Sequence, residues 1–295
     1  MSKRLLANIA LFTANLIYGI NYTVAKDVMP DFIQPLGFIF LRVSGAVLLF
    51  WLFYSLFFYE KIAKVDLLKL ALCGLFGVAI NQMLFFKGLN LTTPINAAVI
   101  MVTNPILVLI MGAFLAAEAI TKRKILGIAL GAIGAISLIT YGGAVELNSD
   151  HFWGNIMVLI NAASYGVYLV LVKPLMQKYK PITVISWVFL FGLIYVIPFG
   201  WGEFQAIEWT SMSTEIIWKT AFVVVCTTFM AYLLNIYGLK SLNPSTVSTY
   251  IYLQPVLASL VAVFAGSDTL SPVKTGAALI IFAGVYLVSV RHKQN

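Results

Sequence analysis

The sequence predicts an all-α membrane protein with several spans. Of its 295 residues, 61% are hydrophobic and only 10% are charged, against about 25% charged residues in an average soluble domain. The mean hydropathy is +0.95, and apolar runs recur at about the 20-residue length that a helix needs to cross a bilayer. A soluble protein of this size would lack the polar residues to cover its surface. A soluble enzyme, a secreted disulfide scaffold and a disordered chain are therefore excluded.

Breaks in the apolar pattern divide the chain into ten predicted transmembrane helices. Their ranges are about 5–26, 34–58, 66–88, 93–117, 123–142, 152–175, 182–201, 214–239, 243–266 and 270–291, each to within about four residues. The runs are too long and too continuously apolar for the alternating strands of a barrel. The first run continues to Lys26 without a clear cleavage site, so we interpret it as a retained span and not a signal peptide.

Charged and helix-breaking residues mark each boundary in turn. In chain order, the breaks contain Asp27 and Pro30, Glu60 and Lys64, Asn90 and Pro94, Glu118 and Lys122, Gly142 and Asn148, Lys180 and Pro181, Glu203 and Glu208, Asn243 and Pro244, and Asp268 and Pro272. Because these breaks are short, we expect sequential helices to be neighbours.

The positive charge follows the predicted topology. The formal net charge is +8, and basic residues of helical membrane proteins collect in cytoplasmic loops. With the N-terminus inside, most Lys and Arg residues fall on the inner side, whereas the outer helix ends carry Lys26, Lys87 and Lys274. We therefore predict a multi-pass protein of the cell inner (plasma) membrane with both termini in the cytoplasm, and no nucleic-acid partner.

The sequence offers no cofactor, metal or catalytic constellation. Cys73 and Cys226 lie in apolar runs and are interpreted as small buried hydrophobes. His151 and His292 lie at segment ends, without metal-ligand spacing. Neither paired carboxylates nor a Ser–His pair is visible, so we predict that the protein is not an enzyme.

The two halves of the chain repeat several residues in a constant register. At an offset of 150 residues, Gly88-Leu89 corresponds to Gly238-Leu239, Pro94 to Pro244, Pro105 to Pro255, Glu118 to Asp268, Lys124 to Lys274 and Gly134 to Gly284; at 147, Tyr18-Gly19 corresponds to Tyr165-Gly166 and Lys26 to Lys173. This register predicts two repeats, 1–145 with helices 1–5 and 146–295 with helices 6–10. Because five is odd, the second repeat should be inverted relative to the first, as in many transporters.

These residues, in this order, resemble the EamA-type branch of the drug/metabolite transporter superfamily. The matching residues are Tyr18-Gly19-Ile20-Asn21, Lys26, Arg42, Phe86-Lys87-Gly88-Leu89, Pro105, Glu118, Gly127 and Gly134, then Gly238-Leu239, Pro255, Asp268, Gly276 and Gly284. Asp268 stands where the family usually has Glu, and Tyr18 where Trp is common. The resemblance implies two five-helix bundles around a central cavity lined by helices 1, 3, 4, 6, 8 and 9. It also implies export of small metabolites, often amino acids, including aromatic ones.

Uncharged polar and aromatic residues inside the predicted spans form the candidate solute site. Such groups are costly in a bilayer and usually face the interior of a bundle. The predicted binding residues are Tyr18, Asn21, Asn81, Gln82, Asn104, Asn161, Tyr165, Tyr168, Thr228, Tyr232, Asn235, Tyr252 and Gln254. Amides can bind a carboxylate or an ammonium, and rings offer an apolar wall. The alternative for each residue is a hydrogen bond that joins two packed helices.

Two prolines occupy corresponding positions inside predicted helices 4 and 9. Pro105 and Pro255 each remove one backbone hydrogen bond, near residues 101 and 251. We interpret them as hinges, and the alternative is a static kink that neighbouring groups satisfy.

Arg42 is the charged residue that lies well inside a predicted span. We interpret it as a structural tie to helix-end carbonyls or to a carboxylate such as Asp27 or Asp31. The alternative is that it attracts an anionic solute group or gates the outer side. No Asp or Glu falls in the middle of a predicted helix, although proton-coupled pumps usually need such a group. We therefore expect facilitated diffusion, exchange, or coupling through a less obvious group.

Together these observations predict an alternating-access exporter of small amphipathic metabolites, with amino acids, including aromatic or hydrophobic ones, as the expected solutes. Its expected partners are the solute and the lipid bilayer, and it is expected to be a monomer or a weak homodimer. One alternative is a sugar-phosphate or nucleotide-sugar carrier, which would need two or more central cations for phosphate. Another is a membrane enzyme or assembly protein.

Overall fold

The computed structural model describes residues 3–92, 97, 100–116, 119–141, 152–264 and 271–289. Its helices, numbered in chain order, are α1 (Lys3–Val28), α2 (Pro35–Phe57), α3 (Lys64–Leu91), α4 (Asn104–Ala116), α5 (Lys122–Tyr141), α6 (Phe152–Lys178), α7 (Pro181–Gln205), α8 (Thr214–Ser241), α9 (244–264) and α10 (Pro272–Ser289). The sequence features at Pro94, Glu118 and Asp268 lie outside the described residues.

The predicted helical class is confirmed. No strand occurs in the described ranges, and the helix ends lie within four residues of the predicted ends, apart from the start of α4. Six helices, α2, α3, α6, α7, α8 and α10, are long and apolar enough to cross a membrane. The chain is thus a helical membrane protein with several spans, and the count of ten spans stays a prediction.

The long helices have one buried face and one apolar exposed face. In α2, α6, α7 and α8, half of the most apolar stretch is buried within the protein. Their exposed faces carry large apolar side chains such as Leu48 and Trp218. Because lipid chains are as apolar as these side chains, such an outer surface suits a bilayer.

A carboxylate from the second half holds the start of α2. Pro35 occupies its first turn, where the missing N–H costs little. The next two amides, of Leu36 and Gly37, donate to Glu203 Oε2 of α7 at 2.7 and 2.9 Å. This negative charge also lies at the positive end of the helix dipole.

The most extensive helix packing joins the first half of the chain to the second. α1 packs on α8 and α9, α3 on α6 and α7, α2 on α7, and α5 on α10. At the α5–α10 crossing, a Cβ atom on Gly127 would lie 2.8 Å from the carbonyl oxygen of Gly284. Glycine lets these two backbones approach closely, as is common between membrane helices.

Two helices widen at corresponding places in the two halves. Leu75–Ile80 of α3 and Val223–Met230 of α8 wind as π-helix, a rare form that is frequent at functional sites. Asn81 and Gln82 follow the first π segment directly, and Thr228 lies in the second. The widened turns therefore adjoin residues of the predicted site.

Pro105 and Pro255 lie just after helix breaks and not in the middle of continuous helices, which corrects the prediction. Residues 102–103 form a turn before α4, and Tyr250–Tyr252 form a 3₁₀ turn inside α9. Each proline lies in the first turn of the α-helical segment that follows, where its missing N–H costs little. The breaks occupy corresponding places in the two halves.

Candidate functional site

A cavity of about 130 Å³ lies between the two halves of the chain. Its volume is several times the roughly 10–15 Å³ that one water needs on the same measure. The lining residues are Asn15, Tyr18 and Asn21 of α1, Arg42 of α2, Asn81, Gln82, Phe85 and Phe86 of α3, Met101 before the turn at 102–103, Asn161 and Tyr165 of α6, Thr227, Tyr232 and Asn235 of α8, and Val247, Ile251 and Gln254 of α9.

The structure brings most of the predicted binding residues together around this cavity. Those in its wall are Tyr18, Asn21, Asn81, Gln82, Asn161, Tyr165, Tyr232, Asn235 and Gln254. Arg42, which sequence reasoning treated as a structural or gating charge, lies in the same wall. The other four, Asn104, Tyr168, Thr228 and Tyr252, lie outside it.

The side chains of two of those four residues donate hydrogen bonds to backbone carbonyls of neighbouring segments. Asn104 Nδ2 donates to the carbonyl of Ala162 at 2.9 Å, and the Tyr252 hydroxyl donates to the carbonyl of Val102 at 3.1 Å. Val102 lies in the turn before α4, so Tyr252 satisfies a carbonyl at that break. Both side chains therefore serve the helix contacts that were the alternative interpretation.

The other two residues are buried behind the cavity wall. The ring of Tyr168 covers Gly77, where a Cβ atom would lie 2.4 Å from the ring. Thr228 Oγ1 donates to the carbonyl of Val223 at 2.8 Å and accepts from Arg42 Nε at 3.1 Å. Thr228 thus positions a cavity residue, although it does not line the cavity.

A group of amides and tyrosines links α1, α3 and α8 across the cavity. Gln82 Nε2 donates to the Tyr232 hydroxyl and Asn235 Nδ2 donates to the Tyr18 hydroxyl, both at 3.1 Å. The Tyr18 and Tyr232 rings meet edge to face, with centroids 6.4 Å apart. These contacts fix the side-chain orientations before any solute arrives, which lowers the entropic cost of binding.

Asn81 and Asn161 pair α3 with α6. Asn161 Nδ2 donates to the carbonyl of Asn81 at 2.6 Å, and Asn81 Nδ2 donates to the carbonyl of Asn161 at 3.4 Å. Because each amide nitrogen faces a backbone acceptor, the orientation of each amide is fixed. The Asn161 Oδ1 atom is left without a hydrogen-bond partner among the described residues.

Asn15 and Gln254 link α1 to α9. Asn15 Nδ2 donates to the carbonyl of Leu11 at 2.8 Å, and its Oδ1 accepts from Gln254 Nε2 at 2.9 Å. Asn15 is thus a site residue beyond the predicted set. It is polar, lies inside a predicted span and comes three residues before Tyr18, so the sequence did carry a signal for it.

The sequence analysis did not predict the apolar residues that line the cavity. These are Phe85, Phe86, Met101, Val247 and Ile251. In a chain that is 61% hydrophobic, an apolar side chain gives no sign of whether it faces a cavity, a neighbouring helix or lipid. Met101 lies four residues before Pro105, and Ile251 lies four residues before Pro255. The two prolines were therefore the feature of the sequence that could have indicated these lining residues.

Arg42 is buried in the cavity wall, and no carboxylate among the described residues forms an ion pair with it. It is 4% exposed, and its guanidinium carbon lies 4.8 Å from the centroid of the Phe86 ring. Neither predicted carboxylate partner holds it: Asp27 Oδ2 lies 2.7 Å from Lys219 Nζ, and Asp31 is exposed. Among the residues described as lining the cavity, none is acidic.

A second cavity, of about 210 Å³, adjoins the first. The two cavities share Asn21, Phe85 and Phe86. The second also touches Met29 and Pro30, in the turn between α1 and α2, on the side that the Lys and Arg pattern predicts to be external. The shared aromatic pair therefore separates the central cavity from a space next to this turn.

The groups that line the central cavity are suited to binding a polar solute. Amides, hydroxyls, one guanidinium and aromatic rings can hold a polar solute, and no lining group forms a nucleophile–base pair. Within the described part of the chain, no three His, Cys, Asp or Glu side chains are grouped so as to hold a metal ion.

Both halves of the chain are similar to the same family of known proteins. The model of the EamA-like transporter family matches residues 5–140 and again residues 152–290. An uncharacterized transporter of Archaeoglobus fulgidus is 25% identical over 89% of this chain and 90% of its own. Uncharacterized transporter YyaM of Bacillus subtilis is 25% identical over 79% and 78%. A WAT1-related protein of Arabidopsis thaliana is 23% identical over 92% and 79%.

A solved crystal structure has the same fold. It superposes with a TM-score of 0.76 and covers 95% of both chains at 17% identity. This likeness concerns the arrangement of the helices alone.

Proposed function

The chain belongs to the EamA-like transporter family, and from this premise we propose that it exports small amphipathic metabolites, chiefly amino acids. A membrane transporter needs a solute site inside its helix bundle, and the central cavity is the candidate for it. Aromatic and hydrophobic amino acids are the members of this class that best match its tyrosine and phenylalanine walls.

One observation carries the proposal: the cavity combines fixed amides and hydroxyls with aromatic rings. Amides and hydroxyls can bind the charged end of an amino acid, and the rings of Phe85, Phe86 and Tyr165 offer its side chain an apolar surface. Arg42 is the cation of this wall among the described lining residues. This disfavours a phosphate carrier, which would need several.

We propose alternating access between two inverted repeats, 1–145 and 146–295. Support comes from the family model, which matches each half separately, and from helix packing that joins the halves around the cavity. Pro105 and Pro255, next to corresponding breaks, are the proposed hinges. In this proposal ten helices cross the cell inner (plasma) membrane, both termini are cytoplasmic, and the protein acts as a monomer or a weak homodimer.

Growth in the presence of toxic amino-acid analogues tests the proposal. Cells that express the gene should tolerate at least one analogue better than cells without it, because an exporter lowers its internal concentration. Expression of a Tyr18→Ala variant at the same protein level should abolish the gain. Equal tolerance with and without the gene, across analogues of all side-chain classes, would rule out amino-acid export.

A further inference from the structure

We propose that Arg42 binds the carboxylate of the transported solute, and that the solute is therefore a zwitterionic amino acid held by its carboxylate and its ammonium. This inference rests on the proposed function and names the group in the cavity that selects the solute. It differs from the interpretation of Arg42 as a structural tie.

The hydrogen bonds that Arg42 makes within the described structure leave part of its guanidinium group able to bind an anion. Its Nε donates to Thr228 Oγ1 at 3.1 Å, and no other hydrogen bond or ion pair to this side chain occurs among the described residues. Its NH1 atom is buried without a partner there. Burying a cation without a counter-ion lowers the stability of a folded protein. A bound anionic solute would remove this penalty.

The contacts that Arg42 does make hold it ready for a carboxylate. Thr228 donates its own proton to the carbonyl of Val223 at 2.8 Å, and so it can only accept from Arg42. The rings of Phe86 and Phe38 lie 4.8 and 5.9 Å from the guanidinium carbon. With Nε and the plane of the group fixed, the terminal nitrogens remain for the bidentate geometry that carboxylates favour.

The second half of the chain shows that helix packing does not require a cation here. At the offset of 147 residues, Arg42 corresponds to Phe189, and at 150 its partner Thr228 corresponds to Val78. Phe189, its neighbour Val188 and Val78 are all fully buried. The position that corresponds to Arg42 is therefore apolar, and the Phe189 ring there packs on the rings of Phe50 and Tyr232. The repeated scaffold does not need a cation at this position.

The same wall offers acceptors for an ammonium. Asn161 Oδ1 is fixed by the bond of its Nδ2 to Asn81 and has no partner in the described structure. Gln82 Oε1, whose amide nitrogen bonds Tyr232, is also buried and unsatisfied within that part of the chain. Buried acceptors of this kind are normally satisfied. An ammonium would supply the missing donors.

Binding measurements on the purified full-length protein in lipid nanodiscs test the proposal. The probes are the twenty common L-amino acids and, for each that binds, its α-amide, which keeps the ammonium and lacks the carboxylate. The wild type should bind the amide about 30-fold more weakly or worse, as when one partner of a buried charge pair is removed. Arg42→Gln should weaken binding of the acid about as much and remove the preference for acid over amide.

Two further variants separate the effect of the charge of Arg42 from its geometry and provide a control. Arg42→Lys retains the positive charge but lacks the planar guanidinium group that makes two parallel hydrogen bonds to a carboxylate. It should keep the preference for the acid at lower affinity. Lys240→Gln removes a cation from the exposed end of α8 and should bind like the wild type. Without ligand, Arg42→Gln should melt at the same or a higher temperature, whereas a structural tie predicts a lower one.

The outcomes separate this inference from the proposed function. If cells export an analogue but the wild type binds acid and amide equally, or Arg42→Gln keeps the preference, the role of Arg42 is wrong and the function stands. If no amino acid binds the folded wild type, both are wrong. If Arg42→Gln does not fold, the acid–amide comparison on the wild type and on Arg42→Lys decides.

Discussion

Tyr165 faces the central cavity from α6, and its ring is a candidate wall for the solute. Replacing it with Ala should lower transport by about tenfold or more, because buried aromatic contacts dominate many binding sites. Uptake of a radiolabelled substrate into inverted vesicles, normalised to protein, measures the loss. Tyr286→Ala on the outer face of α10, where the ring is 65% exposed, is the matched control. Equal losses in both variants would mean that Tyr165 has no special role.

Gly77 provides a test of packing that does not depend on transport. A Cβ atom at this position would lie 2.4 Å from the Tyr168 ring, and overpacking of this kind typically costs about 1–3 kcal/mol. Gly77→Ala should therefore lower the melting temperature in detergent. Gly276→Ala, whose Cβ would have no atom within 4 Å, should leave the melting temperature unchanged or raise it. A Gly77→Ala protein as stable as the wild type would contradict the close packing.

At the residue scale, sequence reasoning located polar cavity residues better than it distinguished their roles. Polar groups inside a span face the bundle interior, which is why Tyr18, Asn81 and Gln82 were found. That rule does not separate residues that line the cavity from residues that join helices, so it did not distinguish Asn104 and Tyr252, which bond backbone carbonyls, from the lining residues. The position of Arg42 inside a span was predictable from the sequence, but the lack of a carboxylate beside it in the described part of the chain was not.

At the scale of a helix, the break within α9 leads to a prediction about how flexibility affects transport. Pro255→Ala restores an amide that can bond across the break at Tyr250–Tyr252, and so should stiffen α9. We expect slower transport with an unchanged or higher melting temperature, the usual pattern when flexibility serves activity. Pro244→Ala, at the start of α9 and away from the break, is the control. Unchanged transport by Pro255→Ala would leave a static kink as the explanation.

Helix ends were predictable, whereas irregularities inside helices were not. Charge and proline mark the ends of α2 and α7 in the sequence, and the structure places them within four residues of the predicted ends. The π segments Leu75–Ile80 and Val223–Met230 contain no proline or charge. Their winding depends on how α3 and α8 pack on other helices, and a local pattern carries no record of that packing.

For the whole molecule, the orientation of the loops is the first prediction. Single cysteines placed in a background without Cys73 and Cys226 should react with a membrane-impermeant maleimide from opposite sides. Positions in 118–124 and 174–181 should be cytoplasmic, and those in 143–151 and 202–213 should be external. Labelling of all four loops from one side, or an odd number of spans, would contradict the inverted repeats.

The energy source is the second whole-molecule prediction. The described residues that line the cavity include no Asp, Glu or His, and these are the groups that usually relay protons in pumps. Substrate flux down its own gradient in sealed vesicles should therefore persist after an uncoupler is added. The same uncoupler should stop a known proton-coupled transporter in parallel vesicles. Loss of flux in this protein would mean that another group carries the proton.

The pairing of α2 with α7, α3 with α6 and α5 with α10 has a consequence for biosynthesis. The ribosome completes α5 before α6 exists, so α2, α3 and α5 are made before the helices that cover their principal contact faces. The packing of α5 must wait for α10, and a chain terminated near residue 145 should be a substrate for membrane proteases. The two halves made from separate genes should, by contrast, rescue each other when synthesised together.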